Sequence, residues 1–164
     1  MNGGADTVVI GLGNVVMSDD GLGVHAVRRL RERYAVAEGV EVVEGGTAGL
    51  LLLPHLADAR RAILVDAIDS GTCPGTMTCL SGEDWMSAFS IRMTPHEVAL
   101  EDLLGAARLK EVWPEELVLL GLQPGPIALG TELSRPVAAA LDELVDAIAA
   151  QLIAWETSLL MTTG

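Results

Sequence analysis

Apolar residues along the chain follow two alternating periods. Short aliphatic or β-branched runs at Thr7 to Leu12, Val40 to Val43, Ala62 to Val65 and Leu117 to Leu122 have the continuity of strands buried on both faces. After the first run, Val24, Val27, Leu30 and Tyr34 recur at three- and four-residue steps, with Arg28, Arg29, Arg31, Glu32 and Arg33 between them. This spacing predicts a helix with one apolar and one solvated face, and Ser18, Asp19 and Asp20 stand where its capping side chains belong. Leu50 to Leu56 predicts a short helix. Val137, Leu141, Leu144, Val145, Ile148 and Leu152 predict a long one of roughly five turns. Another helix is expected after Pro95, through Val98, Leu103, Leu104 and Ala107. Thr76 to Leu80 has the pattern of one extra strand, and residues 81–90 show no clear period. Alternating strands and helices predict an α/β fold in three layers, a twisted, mostly parallel sheet with helices on both faces and right-handed crossovers.

Composition narrows this picture. The 164 residues are half hydrophobic but only 3% aromatic, so the core must be built from Leu, Val, Ile and Ala. No repeat, linker or low-complexity tract divides the chain, which predicts one domain over residues 1–164. Ten basic against 23 acidic side chains give a formal charge of −13. Without a cluster of cations there is nothing to displace counterions from a phosphate backbone, so nucleic acid is excluded as a partner and anionic membrane surfaces are disfavoured. No apolar stretch approaches the ~18 residues of a membrane span. The first residues lack the basic segment and long apolar run of a secretory leader, and Cys73 and Cys79 lack C-x-x-C spacing. A cytoplasmic setting is the expectation.

Functional groups of open α/β sheets gather at the carboxyl ends of the strands. That rule selects Asn14, Asp19 and Asp20 after the first strand, Glu44 to Thr47 after the second, Asp66 at the end of the third, and His96 ahead of a helix. Asp20, Asp66 and His96 could converge on one borderline divalent cation such as nickel, zinc, manganese or iron. The absence of sulfur ligands argues against a structural zinc. Blander roles exist for each: Asp20 as a helix cap and His96 as a first-turn surface residue. Asp66 is harder to dismiss, because a carboxylate directly following Ala-Ile-Leu-Val is desolvated unless something pairs with it. His25 and His55 have no carboxylates at ligand spacing. A dinucleotide site is disfavoured, since Gly11-Leu12-Gly13-Asn14-Val15-Val16 lacks the third glycine and two aspartates would compete with a pyrophosphate. No G-x-S-x-G is present, and neither thiol has an evident histidine partner.

Five blocks, GLGNVVMSDDGLGVHAV (Gly11 to Val27), EGGTAG (Glu44 to Gly49), LVDAI (Leu64 to Ile68), TPHEVAL (Thr94 to Leu100) and GLQP (Gly121 to Pro124), occur in order across nearly the whole chain. Together they resemble the maturation endopeptidases of nickel–iron hydrogenases. The resemblance implies a sheet of about five strands. It also implies an endoproteolytic cut that removes the C-terminal extension of the hydrogenase large-subunit precursor after nickel insertion. Asp20, Asp66 and His96 fall on the family's metal ligands, and Glu44 on a position where relatives often carry Asp. Three ligands leave coordination positions open, which in an ordinary metalloprotease hold an activated water. The resemblance implies instead that the ion is nickel supplied by the precursor, with other divalent metals able to occupy the site in vitro. Peptidyl-tRNA hydrolases begin similarly, but a charge of −13 is unsuited to an RNA-facing surface. A nickel-dependent chaperone using the same three residues is the non-enzymatic alternative; for an enzyme that embraces one large precursor, a monomer is expected.

Overall fold

The computed structural model describes residues 5–82, 84, 98–155 and 159–161. Its aliphatic runs become β1 (Thr7–Leu12), β3 (Val40–Gly46), β4 (Arg61–Ala67) and β6 (Glu116–Leu122), and the extra strand becomes β5 (Met77–Ser81). They form one five-stranded sheet in the order β3-β1-β4-β6-β5. Neighbours are parallel except β5, which runs antiparallel to β6 at one edge. This is the mostly parallel sheet the alternation predicted.

Strict alternation along the strands sorts the core into two clusters. Val9, Ile63, Val65, Val118 and Leu120 face α1 (Leu22–Arg33) and α4 (Arg135–Ala154). Val8, Ile10, Ala62, Leu64 and Leu119 face α2 (Leu53–Asp58) and α3 (Val98–Leu109). Each side chain fully buried in this way stabilises the fold by about 1.5–3 kcal/mol before entropy is counted. Both faces are therefore covered, as a parallel sheet requires.

Two features depart from the periodicity. Tyr34, expected on the apolar face of α1, ends that helix in extended conformation, with φ −130° and ψ 136°. It opens β2 (Tyr34–Val36), which pairs antiparallel with β7 (Leu159–Met161) in a separate two-stranded ribbon. Pairing between segments so distant in sequence leaves no local signature. Pro95 and residues 85–90 lie outside the described residues, but the helix expected after Pro95 is present as α3.

The connections set the position of the site. After β1 the chain crosses to β3 on one side, whereas after β4 it leads to β5 and β6 on the other. The seam between β1 and β4 is thus the topological switch point, where loops leave in opposite directions and open a crevice. Among the described residues, no helix is long and apolar enough to cross a membrane.

Candidate functional site

Glycines let the chain close over this seam. A Cβ on Gly11 would lie 2.1 Å from the Gly23 carbonyl oxygen, and one on Gly23 would lie 2.1 Å from that of Val65. The first turn of α1 is therefore pressed directly onto β1 and β4. In a dinucleotide fold the third glycine of the fingerprint would allow this close packing; here Gly11 and Gly23 do so. Gly13 has φ +112°, and a Cβ there would meet the Asp20 carbonyl oxygen at 1.7 Å. The 3-10 turn Ser18–Gly21 consequently folds back over the end of β1, against β4.

Asp20 and Asp66 flank the seam. Asp20 is 8% exposed, and its Oδ2 accepts the Asn14 N–H at 2.9 Å. Asp66 is 6% exposed and its Oδ1 accepts the Ala67 N–H at 2.8 Å. It lies at the end of β4, next to the last residue and paired with Gly121, where its position after the apolar run placed it. Alternation puts it on the face of Ala62 and Leu64, the face covered by α3. His96, two positions before α3 in the sequence, lies outside the described residues. Among those described, no three His, Cys, Asp or Glu side chains are grouped so as to hold a metal ion.

The other acids near the seam have partners elsewhere. Neither Asp19 nor Asp20 caps α1, whose N-cap is Gly21 without a side-chain bond. Asp19 is fully buried and instead reaches the start of α4: its Oδ1 accepts the Ser134 N–H at 2.7 Å, and its Oδ2 accepts the Gly125 N–H at 2.9 Å and the Ser134 hydroxyl at 2.6 Å. An anion there complements the helix dipole. Glu44 accepts from Arg28 at 3.0 Å and Arg31 at 3.2 Å. The Arg28 hydrogen bond, aided by the charges of both arginines, holds its carboxyl below the usual range. Beside it is a shallow cleft of about 190 Å³ lined by Gly13, Asn14, Arg28, Glu44 and Thr47 among others.

Gln123, within the GLQP block, has a part that its sequence position did not assign. The side chain is 7% exposed; its Oε1 accepts the N–H groups of Ser70 at 2.7 Å and Thr72 at 3.3 Å, and its Nε2 donates to Asp69 at 3.1 Å. It ties the loop leaving β4 to the end of β6. A glutamine placed directly after an apolar strand was the available signal, because a buried amide must find partners. Of the remaining histidines, His55 Nδ1 is 2.8 Å from Glu41, and His25, near enough to Asp19 to feel its charge, has its pKa lowered chiefly by burial.

Comparison with known proteins is consistent in direction. The HycI family model, described as hydrogenase maturation protease, matches residues 24–151. The hydrogenase 2 maturation protease of Escherichia coli is 34% identical over 146 residues, covering 88% of this chain and 89% of that protein. The hydrogenase expression/formation protein HoxM of Azotobacter vinelandii is 36% identical over 139 residues, covering 82% of this chain; the match spans 66% of its own length. The solved structure of the hydrogenase maturating endopeptidase HybD from E. coli superimposes with a TM-score of 0.87 at 32% identity, covering 94% of this chain and 96% of that one. The HybD maturation protease of Thermococcus kodakarensis gives a TM-score of 0.72 at 30% identity, covering 89% of this chain and 97% of that one.

Proposed function

The chain belongs to the hydrogenase maturation protease family, and we propose that it is an endopeptidase that removes the C-terminal extension of a nickel–iron hydrogenase large-subunit precursor after nickel insertion. One observation carries the reading: two nearly buried carboxylates, Asp20 and Asp66, stand at the carboxyl ends of β1 and β4 on either side of the switch point. Withdrawing two acids from water beside one crevice is costly, and a cation entering that crevice offsets the cost.

In this reading the nickel belongs to the substrate. Asp20, Asp66 and His96 inspect the ion held by the precursor and bring the scissile bond alongside it. Carboxylate and imidazole donors suit a borderline divalent ion, so other divalent metals can enter the same site in vitro. Among the described residues, Asp20 Oδ2 takes a single backbone hydrogen bond, which fixes the carboxylate while leaving it acceptor capacity for a cation. The enzyme acts as a monomer in the cytoplasm, a setting supported by the free, exposed thiols of Cys73 and Cys79.

The test is to incubate the purified protein with nickel-loaded and with nickel-free precursor and to follow precursor mass. The expected result is loss of a discrete C-terminal peptide from the loaded form alone, by a protein that itself carries no stoichiometric metal. Cleavage of nickel-free precursor by a tightly metal-bound enzyme would overturn the substrate-nickel reading. A stable complex without loss of mass would point to a nickel-dependent chaperone.

A further inference from the structure

Asp19 and Asp20 are consecutive, both buried, and differently loaded. The two oxygens of Asp19 take three hydrogen bonds, from Gly125 N–H, Ser134 N–H and the Ser134 hydroxyl. Among the described residues, Asp20 takes one, from Asn14. A carboxylate already surrounded by donors has little left for a ligand, whereas its neighbour retains acceptor capacity.

The bonds differ in reach as well as number. Among the described residues, the Asp20 carboxylate is held from the β1 side, by the Asn14 N–H, and its carbonyl closely approaches Gly13. Asp19 is held from the opposite side, by the segment between β6 and α4. The same segment grips Ser18, whose φ of +47° places a non-glycine residue in the left-handed region. The Ser18 N–H donates to the Gly130 carbonyl at 2.8 Å, and its hydroxyl accepts the Ala128 N–H at 3.1 Å. Such a backbone conformation persists only where the surroundings over-determine it. Removing the Asp19 carboxylate would take away the bonds to Gly125 and Ser134 and leave the turn held on the β6 side by Ser18 and its neighbours alone, two residues from Asp20.

We propose that Asp19 is a positioning residue for the cut: its buried carboxylate clamps the 18–21 turn to the β6–α4 segment, at Gly125 and at the α4 N-cap Ser134, and thereby sets where Asp20 stands. The proposal rests on Asp20 facing the substrate's nickel. It assigns different tasks to the paired acids, one bound to the protein and one offered to the substrate. Ser134 belongs to the same device, because its hydroxyl donates to Asp19 instead of capping its own helix.

The experiment compares Asp19→Asn, Ser134→Ala, Ser134→Thr and Asp20→Asn in the full chain, at a temperature where circular dichroism shows each variant folded. kcat and KM are measured on nickel-loaded precursor. Asn at position 19 keeps the size but turns an NH2 group toward N–H donors. Asp19→Asn is expected to lower kcat by about 10–100-fold, the usual consequence of losing a group that orients a metal-facing ligand, with KM nearly unchanged. Ser134→Ala should lower kcat by less, and Ser134→Thr, which keeps the hydroxyl, should restore it. A folded Asp19→Asn with wild-type kcat beside an inactive Asp20→Asn would overturn the proposal and leave the proposed function standing. If Asp19→Asn does not fold, wild-type kcat in Ser134→Ala overturns it. Full activity of Asp20→Asn would overturn the reading of the site and this proposal together.

Discussion

Gly13→Ala is the sharpest test of how the backbone holds the site. The added Cβ would sit 1.7 Å from the Asp20 carbonyl oxygen, whereas real contacts essentially never fall under 3.0 Å, so turn and strand must separate by at least 3.0 − 1.7 = 1.3 Å. Because the obstacle is backbone, no side-chain rotation relieves it. The φ of +112° adds roughly 1–3 kcal/mol of strain for a residue with a Cβ. A displacement of about 1 Å at a catalytic constellation commonly lowers the rate by about 10²-fold, and a loss of processing of at least that size is expected. Gly39→Ala separates crowding from strain. Gly39 also has positive φ, at +92°, but nothing lies within 4 Å of where its Cβ would stand, and it precedes β3 at the far end of the sheet. That variant should lose about 1–2 kcal/mol of stability while processing at the normal rate. Both are assayed by precursor mass against time, alongside thermal unfolding, where each kcal/mol corresponds to about 2–4 °C in a domain of this size. Wild-type processing by Gly13→Ala, or an equal loss in Gly39→Ala, would refute the argument that the Gly13–Asp20 approach sets the site.

Other substitutions separate ligands from supports. Asp20→Asn and Asp66→Asn each remove an anionic donor at nearly constant size. Processing should fall by more than about 100-fold, beyond the usual effect of losing an outer partner, while circular dichroism stays native. His96→Ala should behave likewise, and normal processing in all three variants would place the site elsewhere. Glu44 tests a surface pair. Its folded pKa is depressed, chiefly by the Arg28 hydrogen bond, so its stabilisation is present above the ordinary carboxylate range and is lost as pH falls through the lower folded value. Since both partners are well exposed to solvent, Glu44→Gln should cost well under about 1 kcal/mol at neutral pH, and less in high salt. A large, salt-independent loss in thermal unfolding would contradict that.

Much of the architecture was legible because it is written in local periods. The runs beginning at Thr7, Ala62 and Leu117 are buried on both faces and needed no long-range information to be recognised as strands. Their ends were less clear: β3 continues to Gly46 and β4 to Ala67, since strand pairing carries the ladder past the apolar run. The β2–β7 ribbon was invisible, because Tyr34 fits the helical period of α1 and its partner Met161 is far away in the chain. At the site, the position of Asp66 directly after an apolar run pointed to a desolvated acid, and it is buried; Asp20, for which helix capping was the blander reading, is buried too and does not cap α1. The roles of Asp19 and Gln123 were not legible.

The sequence by itself determined the alternation of strand and helix, the aliphatic core, and the placement of acids at strand ends, all of which follow from residue chemistry and spacing along the chain. Tertiary structure alone decided how those acids divide. Adjacent aspartates 19 and 20 are the same chemical group, yet one meets donors 106 and 115 residues away at Gly125 and Ser134, and the other meets Asn14 six residues back. Glu44 is likewise engaged by two arginines on α1. A carboxylate's task depends on which donors surround it, and where those donors come from distant parts of the chain, only the fold brings them together.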